Sequence, residues 1–259
     1  MPDTYLVTGA SAGLGASFAA ELARRGHNLI LVARRSEAMH ALAEVLIEKH
    51  GIAVHVFPTD LTESGAVATL MHEIEQQGLV ITHLINNAGY GLRGAFAEMD
   101  GPSQARMIDL NCRLPMELTH AVLPGMIAAG RGGVLNVAST AAFQPGPWMA
   151  VYYATKAFLL SFSEAVHDEV KDKGVNVTAL CPGPTRTEFF DVADMRDTAL
   201  SRFMAGAPEK MVRDGLAALE SNRAVKVSGA LNSAIASSIR ITPRPLARGL
   251  AGALQKARS

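Results

Sequence analysis

The sequence predicts an α/β fold, a doubly wound parallel sheet with helices on both faces, and three observations lead there. Short apolar runs alternate with helical patterns along most of the 259 residues. A glycine-rich turn separates the first apolar run from the first helical pattern. Polar and glycine residues gather where the apolar runs end, which is where sheets of this kind bind ligands. Strands joined through helices run parallel and are buried on both faces.

Tyr5-Leu6-Val7 reads as the first strand, and Thr8-Gly9-Ala10-Ser11-Ala12-Gly13-Leu14-Gly15 follows at once. From Ala16 the chain turns helical, with Phe18, Ala19, Leu22 and Ala23 on one face. In this context Gly9 permits a tight turn, and Gly13 and Gly15 let a pyrophosphate approach the backbone at a helix N-terminus. The Gly-x-x-x-Gly-x-Gly spacing matches neither the Gly-x-Gly-x-x-Gly fingerprint nor a Walker loop, and an ordinary glycine turn has the same letters. Further strands are expected at 28–33, 53–58, 83–87, 133–139 and 175–182, with helices at 37–50, 64–77, 103–129 and 151–173. A helix at 209–220 and an edge strand at 225–227 complete the pattern.

Tyr152-Tyr153-Ala154-Thr155-Lys156 carries the chemistry. Residues four apart share one helix face. A free phenol has a pKa near ~10, and an ammonium one turn away favours the phenolate and lowers it. Ser139, thirteen residues before Tyr152, ends a strand and can hydrogen-bond the same substrate oxygen. Tyr153 is the rival, three residues from Lys156, but it points about 100° away from Tyr152.

Taken together, these motifs resemble the short-chain dehydrogenase/reductase family over residues 4–187. Thr8 to Gly15, with Gly9, Ser11, Gly13, Leu14 and Gly15, is similar to its cofactor loop. Asp60-Leu61 resembles its adenine contact, and Asn86-Asn87-Ala88-Gly89 its sheet-stabilising motif. Asn111, Ser139, Tyr152 and Lys156 fall where the family keeps its catalytic residues, in the same order. Pro182-Gly183-Pro184-Thr185-Arg186-Thr187 resembles its loop beside the nicotinamide. The resemblance implies a single Rossmann-type oxidoreductase domain over 1–259, with a substrate lid at 184–208. It also implies that Tyr152 exchanges a proton with the substrate oxygen while Ser139 steadies that oxygen. Lys156 would lower the Tyr152 pKa and hold the nicotinamide ribose, and Asn111 would bend its helix and fix a water.

The second strand ends Val32-Ala33-Arg34-Arg35, with no acid. A 2′-phosphate selects a cation there and a 2′-hydroxyl a carboxylate. NADP(H) is therefore expected in preference to NAD(H), read by Arg34 and Arg35; two solvated arginines opening a surface helix are the alternative. Phe143, Trp148 and Phe189 are candidates for an apolar substrate pocket, or else they pack under the loops. A carbonyl reductase or alcohol dehydrogenase is the first reading. A catalytically weak dinucleotide-binding or regulatory protein and an NAD-dependent alcohol or steroid-type dehydrogenase are the alternatives.

Lys plus Arg equals Asp plus Glu at 24 each, so no overall field attracts nucleic acid. Cys112 and Cys181 read as buried free thiols, and the eight histidines show no paired ligand spacing, so no metal is expected. No signal peptide or spanning segment is visible, which suggests a cytoplasmic protein. The resemblance implies a homodimer or homotetramer paired through the helices at 103–129 and 151–173, and their apolar residues on more than one face give weaker support. The tail at 240–259 holds five basic residues and no acid among Ile241, Leu246, Leu250 and Leu254. It reads as a terminal helix with a solvated face, a membrane or partner contact being the alternative.

Overall fold

The computed structural model describes residues 2–184, 207–239 and 241–255. Seven parallel strands form one sheet in the order β3-β2-β1-β4-β5-β6-β7. They are β1 (Thr4–Thr8), β2 (Asn28–Ala33), β3 (Val54–Pro58), β4 (His83–Asn86), β5 (Gly132–Val137), β6 (Val175–Cys181) and β7 (Val225–Val227). Strand order reverses between β1 and β4, so the crevice beyond their carboxyl ends is the natural ligand site.

Side chains along each strand alternate between faces. Val7, Leu31, Leu135 and Leu180 pack against Phe18 and Leu22 of α1 (Gly13–Arg24), Met39 of α2 (Ser36–His50) and Leu216 of a late helix. Leu6, Ile30, Leu84, Val134 and Val177 face the other way. They meet Leu70 of α3 (Ala66–Gln76), Leu118 of α5 (Leu114–Ala129) and Val166 of α6 (Ala150–Val170). Both sheet faces are thus buried, which explains why the strands read as unbroken apolar runs.

The expected helix at 103–129 is interrupted. It divides into α4 (Gly101–Ile108), a π-turn over Asp109–Arg113, and α5. Asp100 caps α4 by accepting from the Ser103 N–H at 2.8 Å. The late helix α7 (Pro208–Glu220) and strand β7 match expectation, but α8 (Ala230–Ile239) has no counterpart in the sequence reading. Half of its apolar residues are alanine, so the periodic signal is weak. The tail forms α9 (Arg244–Gln255).

At the other end of the sheet, away from the crevice, the Tyr5 ring stacks on His83 at 4.3 Å and meets His27 at 4.9 Å. Burial drives the His83 pKa down to about 4; Asp3 pulls it upward, while His27 and Arg131 add to the fall. Between about pH 4 and the unfolded value near ~6.5, the unfolded chain binds the extra proton. Stability is therefore complete above that window and falls as pH drops through it, by at most about 3 kcal/mol. Urea unfolding of wild type and His83→Phe at pH 7 and pH 5 tests this. The wild type should lose stability between the two, and the variant should lose less; parallel losses would exclude His83 as the cause.

Candidate active site

Strand ends and the turns after them build the site. Thr8 closes β1, and its hydroxyl accepts the N–H groups of Asn87 and Ala88, each at 3.0 Å. Asn87 Nδ2 returns a bond to the Thr8 carbonyl at 2.9 Å. This lashing fixes the turn after β4 against the glycine loop. Gly9 lies at φ +65, and a Cβ on Gly15 would stand 2.2 Å from the Gly9 carbonyl oxygen, so both positions demand glycine. No side chain caps α1 and no acid occupies its first turn, which leaves its leading N–H groups facing the crevice. Ser11, Gly13 and Leu14 line the same turn.

Arg34 follows β2 directly; its guanidinium is 75% exposed and stands 4.0 Å from the Asp60 carboxylate. Burial pulls the Asp60 carboxyl upward, but Thr62 hydrogen bonds and the Arg34 charge outweigh it and hold it below its ordinary range. Leu61 beside it is buried. Arg35 Nε donates to Ser11 Oγ at 3.2 Å, bridging the second strand end to the glycine loop.

Ser139 stands just past β5 and Tyr152 in the first turn of α6, and the Ser139 hydroxyl lies near enough to the phenol to draw its pKa down. Ser139 Oγ also accepts the Ala141 N–H at 3.1 Å, so its rotamer is held from a second side. Lys156 is 5% exposed; its Nζ donates to the Val137 carbonyl at 2.8 Å and lies 5.9 Å from the Tyr152 ring centre. Burial brings the Lys156 pKa down to about 8. Asn111 occupies the π-turn. Its Oδ1 accepts the Tyr90 N–H at 3.1 Å, and its Nδ2 donates to the Tyr90 carbonyl at 2.9 Å and to Thr155 Oγ1 at 3.0 Å. A Cβ on Gly89 would stand 2.8 Å from Asn111 Oδ1, so that position too has no room for a side chain.

One expectation needs correction. The Tyr152 pKa is raised rather than lowered: burial dominates, the Ser139 hydrogen bond pulls the other way, and the neighbouring Tyr153 adds to the rise. Lys156 donates to the Val137 carbonyl, and its charge is not among the causes that shift the phenol. Phe143 packs beside Val225 and Val227 on a buried cluster that includes Leu160 and Cys181, so it supports the loop from beneath. Trp148 is 42% exposed with a left-handed backbone, φ +69, on the loop before α6. Its carbonyl accepts the Gly94 N–H at 2.8 Å.

Pro182 accepts the Thr140 N–H at 2.9 Å, and Gly183 lies against Asn232, where a Cβ would come within 2.3 Å. Thr185, Thr187, Phe189 and nearly all of the expected lid lie outside the described residues. Burial raises the pKa of Cys112 to about 11 and of Cys181 to about 12, which keeps both thiols protonated. Among the described residues no metal-holding cluster of His, Cys, Asp and Glu occurs, and no helix is long and apolar enough to cross a membrane.

Gln255 was invisible to sequence reasoning. It is 2% exposed, 102 residues from Tyr153, and its Nε2 donates to the Tyr153 hydroxyl at 2.7 Å. That bond occupies Tyr153 and leaves Tyr152 as the tyrosine paired with Ser139.

A family model for short chain dehydrogenase matches residues 3–197. Sulfoacetaldehyde reductase 2 of Chromohalobacter salexigens is 36% identical over 203 residues, 78% of this chain and 80% of that protein. A short-chain dehydrogenase of Sphingobium yanoikuyae, solved in complex with NADPH, is similar at TM-score 0.82 and 32% identity, over 93% of this chain and 94% of its own. The bulky-bulky ketone specific alcohol dehydrogenase of Comamonas testosteroni is similar at TM-score 0.79 and 32% identity, over 93% and 92%.

The buried Lys156 ammonium makes a stability prediction. A lysine pKa lowered from 10.5 to about 8 means that the unfolded chain binds the extra proton between those values. Wild-type stability should then rise as pH climbs from 8 toward 10. Lys156→Met should abolish turnover yet be more stable than wild type at pH 7, by about 1–2 kcal/mol, the orphaned Val137 carbonyl offsetting part of the gain. Urea midpoints at pH 7 and pH 10 decide it; a destabilised variant would contradict the argument.

Proposed function

The chain belongs to the short-chain dehydrogenase family, and from that premise we propose an NADP(H)-dependent oxidoreductase that interconverts a carbonyl group and a secondary alcohol. The observation that carries this reading is the approach of Ser139 to Tyr152, with Lys156 one turn further along the same helix. The bound nicotinamide supplies or accepts the hydride. Its phosphates suit the uncapped N-terminus of α1 and the loop from Gly9 to Gly15, where side chains would collide. Asp60, Leu61, Asn87, Ala88 and Gly89 border the adenosine side, and Pro182 and Gly183 the nicotinamide side.

In the reductive direction Tyr152 gives its proton to the substrate oxygen. A phenol whose pKa is raised by burial keeps that proton until negative charge develops on the oxygen beside it. Ser139 donates to the same oxygen, from a rotamer already fixed by Ala141. Lys156 holds ribose hydroxyls and, once hydrogen-bonded there, brings positive charge toward the phenol. Asn111 keeps α6 in register through Thr155 and holds a water leading from Lys156 to solvent.

The bulky ketone specificity of the Comamonas protein and the NADPH of the Sphingobium protein support a bulky ketone and NADPH for this chain. Arg34 and Arg35 meet the 2′-phosphate with charge-assisted hydrogen bonds. We further propose a cytoplasmic homodimer or homotetramer. Ile108 at 48%, Met116 at 39% and Phe158 at 43% exposure leave apolar surface on α4, α5 and α6 for pairing.

NADPH consumption with a panel of bulky ketones tests the activity. Tyr152→Phe should cost ~10²–10⁴ in kcat while cofactor affinity stays within about twofold. Tyr153→Phe should keep most of the turnover. The reverse ranking would move the proton donor to Tyr153.

Cofactor titration tests the specificity. Arg34→Ala should weaken NADPH binding roughly tenfold and leave NADH unchanged, as loss of a charged hydrogen bond at an exposed position implies. Equal wild-type affinity for the two cofactors would refute the assignment.

A further inference from the structure

Charge is divided unevenly along this neutral chain. After Glu220 there are seven cations, Arg223, Lys226, Arg240, Arg244, Arg248, Lys256 and Arg258, and no acid. With 24 of each sign overall, the first 220 residues hold 17 cations against 24 acids. Arg244 and Arg248 lie on α9, and Arg240, Lys256 and Arg258 flank it in sequence.

The inner face of α9 is fixed. Ala247, Ala251 and Gln255, spaced four apart, are buried. Gln255 donates to the Tyr153 hydroxyl, and its carbonyl accepts from Arg93 Nη1 at 2.9 Å. A Cβ on Gly252 would stand 3.2 Å from Pro147, on the loop that carries Trp148. The outer face is solvated, as expected from the sequence, but apolar residues lie on it. Leu246 is 56% exposed, Leu250 58%, and Ile241 in the preceding turn 87%. Successive helix residues differ by about 100°, so the leucines lie well off the alanine line. Arg244 and Arg248, two positions either side of Leu246, fall about 160° away from it. Turning the leucines inward would break the Gln255 and Arg93 bonds.

An outward leucine stripe backed by cations on the far side is the arrangement of a helix that lies in a lipid interface. We propose that α9 docks this protein on an anionic bilayer surface. Ile241, Leu246 and Leu250 enter the acyl boundary, and the exposed Arg244 and Arg248 reach lipid phosphates. A second copy of the chain fits the surface poorly. Three aliphatic side chains fall far short of the ~800 Å² per partner of a stable interface, and a two-fold contact would oppose two acid-free segments. Docking at α9 does not depend on the proposed reaction. Where that reaction holds, the helix that carries the leucines also borders the tyrosine next to Tyr152, which suits entry of an apolar substrate from the lipid side.

Vesicle co-sedimentation tests the proposal with the full-length protein. One set of vesicles is phosphatidylcholine, and the other an equimolar mixture with phosphatidylglycerol. Wild type should bind the anionic vesicles at low salt and lose them at high salt. Leu246→Ser with Leu250→Ser should weaken binding at least about tenfold. Arg244→Gln with Arg248→Gln should weaken it roughly fivefold per arginine. Circular dichroism and turnover of a water-soluble ketone should be unchanged in both variants. No binding to anionic vesicles, equal binding to neutral ones, or unaffected variants would overturn the proposal. So would lipid-free light scattering showing a dimer that the leucine double variant dissolves, which would assign the stripe to a second copy.

Discussion

Lys156 places an ammonium at 5% exposure between a sheet end and two helices, and the surrounding structure is arranged to tolerate it. Among the described residues it has no ion pair, and its Nζ donates to the Val137 carbonyl. An unpaired buried charge is expensive, and the fall of its pKa to about 8 is the sign of that cost. Tolerance comes from backbone geometry. The π-turn at Asp109–Arg113 brings Asn111 against Tyr90 and Thr155, so the turn after β4, the central helix and α6 lock around the ammonium. Gly89 leaves the space beside it open, since a Cβ there would come 3.6 Å from Nζ and closer still to Asn111.

The second support is polar and lies deeper. Asn86 Nδ2 donates to Asn136 Oδ1 at 2.8 Å, and Asn136 Nδ2 donates to Ser163 Oγ at 2.9 Å. Asn86 also reaches Thr119 of α5 at 3.2 Å. The chain of bonds ties β4, β5, α5 and α6 together beneath Tyr152 and Lys156. Polar groups buried in this way are costly unless paired, but once paired they specify one packing. They fix how α6 seats on the sheet, and thereby where the Tyr152 hydroxyl meets Ser139.

The sheet was legible because strands buried on both faces are written as continuous apolar runs: 28–33 and 225–227 are bounded as expected. The candidate site was legible because its residues follow strand ends in chain order, each local enough to carry its own signal. What escaped the sequence was long-range or energetic. Gln255 meets Tyr153 across 102 residues, and no spacing rule links a tail glutamine to a tyrosine. The direction of the Tyr152 shift depends on burial, whereas the Tyr-Lys spacing reports only the neighbouring charge. Phe143 was one residue type with two possible fates, core or pocket, and only the position of β7 decides between them. The helix break at 109–113 has a signal in Asn111, although the same letters fit a bend as well as a π-turn.

The adjacency of Tyr152 and Tyr153 shows how one helix face is divided between chemistry and architecture. Their rings meet edge-on at 6.0 Å, and the 100° step between them sends one toward Ser139 and the other toward α9. Gly146 admits the second ring, since a Cβ there would overlap it at 2.3 Å. Tyr153 is therefore clamped by the loop below and by Gln255 beyond, and a clamped neighbour restricts how the first turn of α6 can move. The same α9 that completes this clamp carries its leucines outward. Its two faces thus serve different ends: the inner one steadies the turn that bears Tyr152, and the outer one remains open to whatever surface the protein meets.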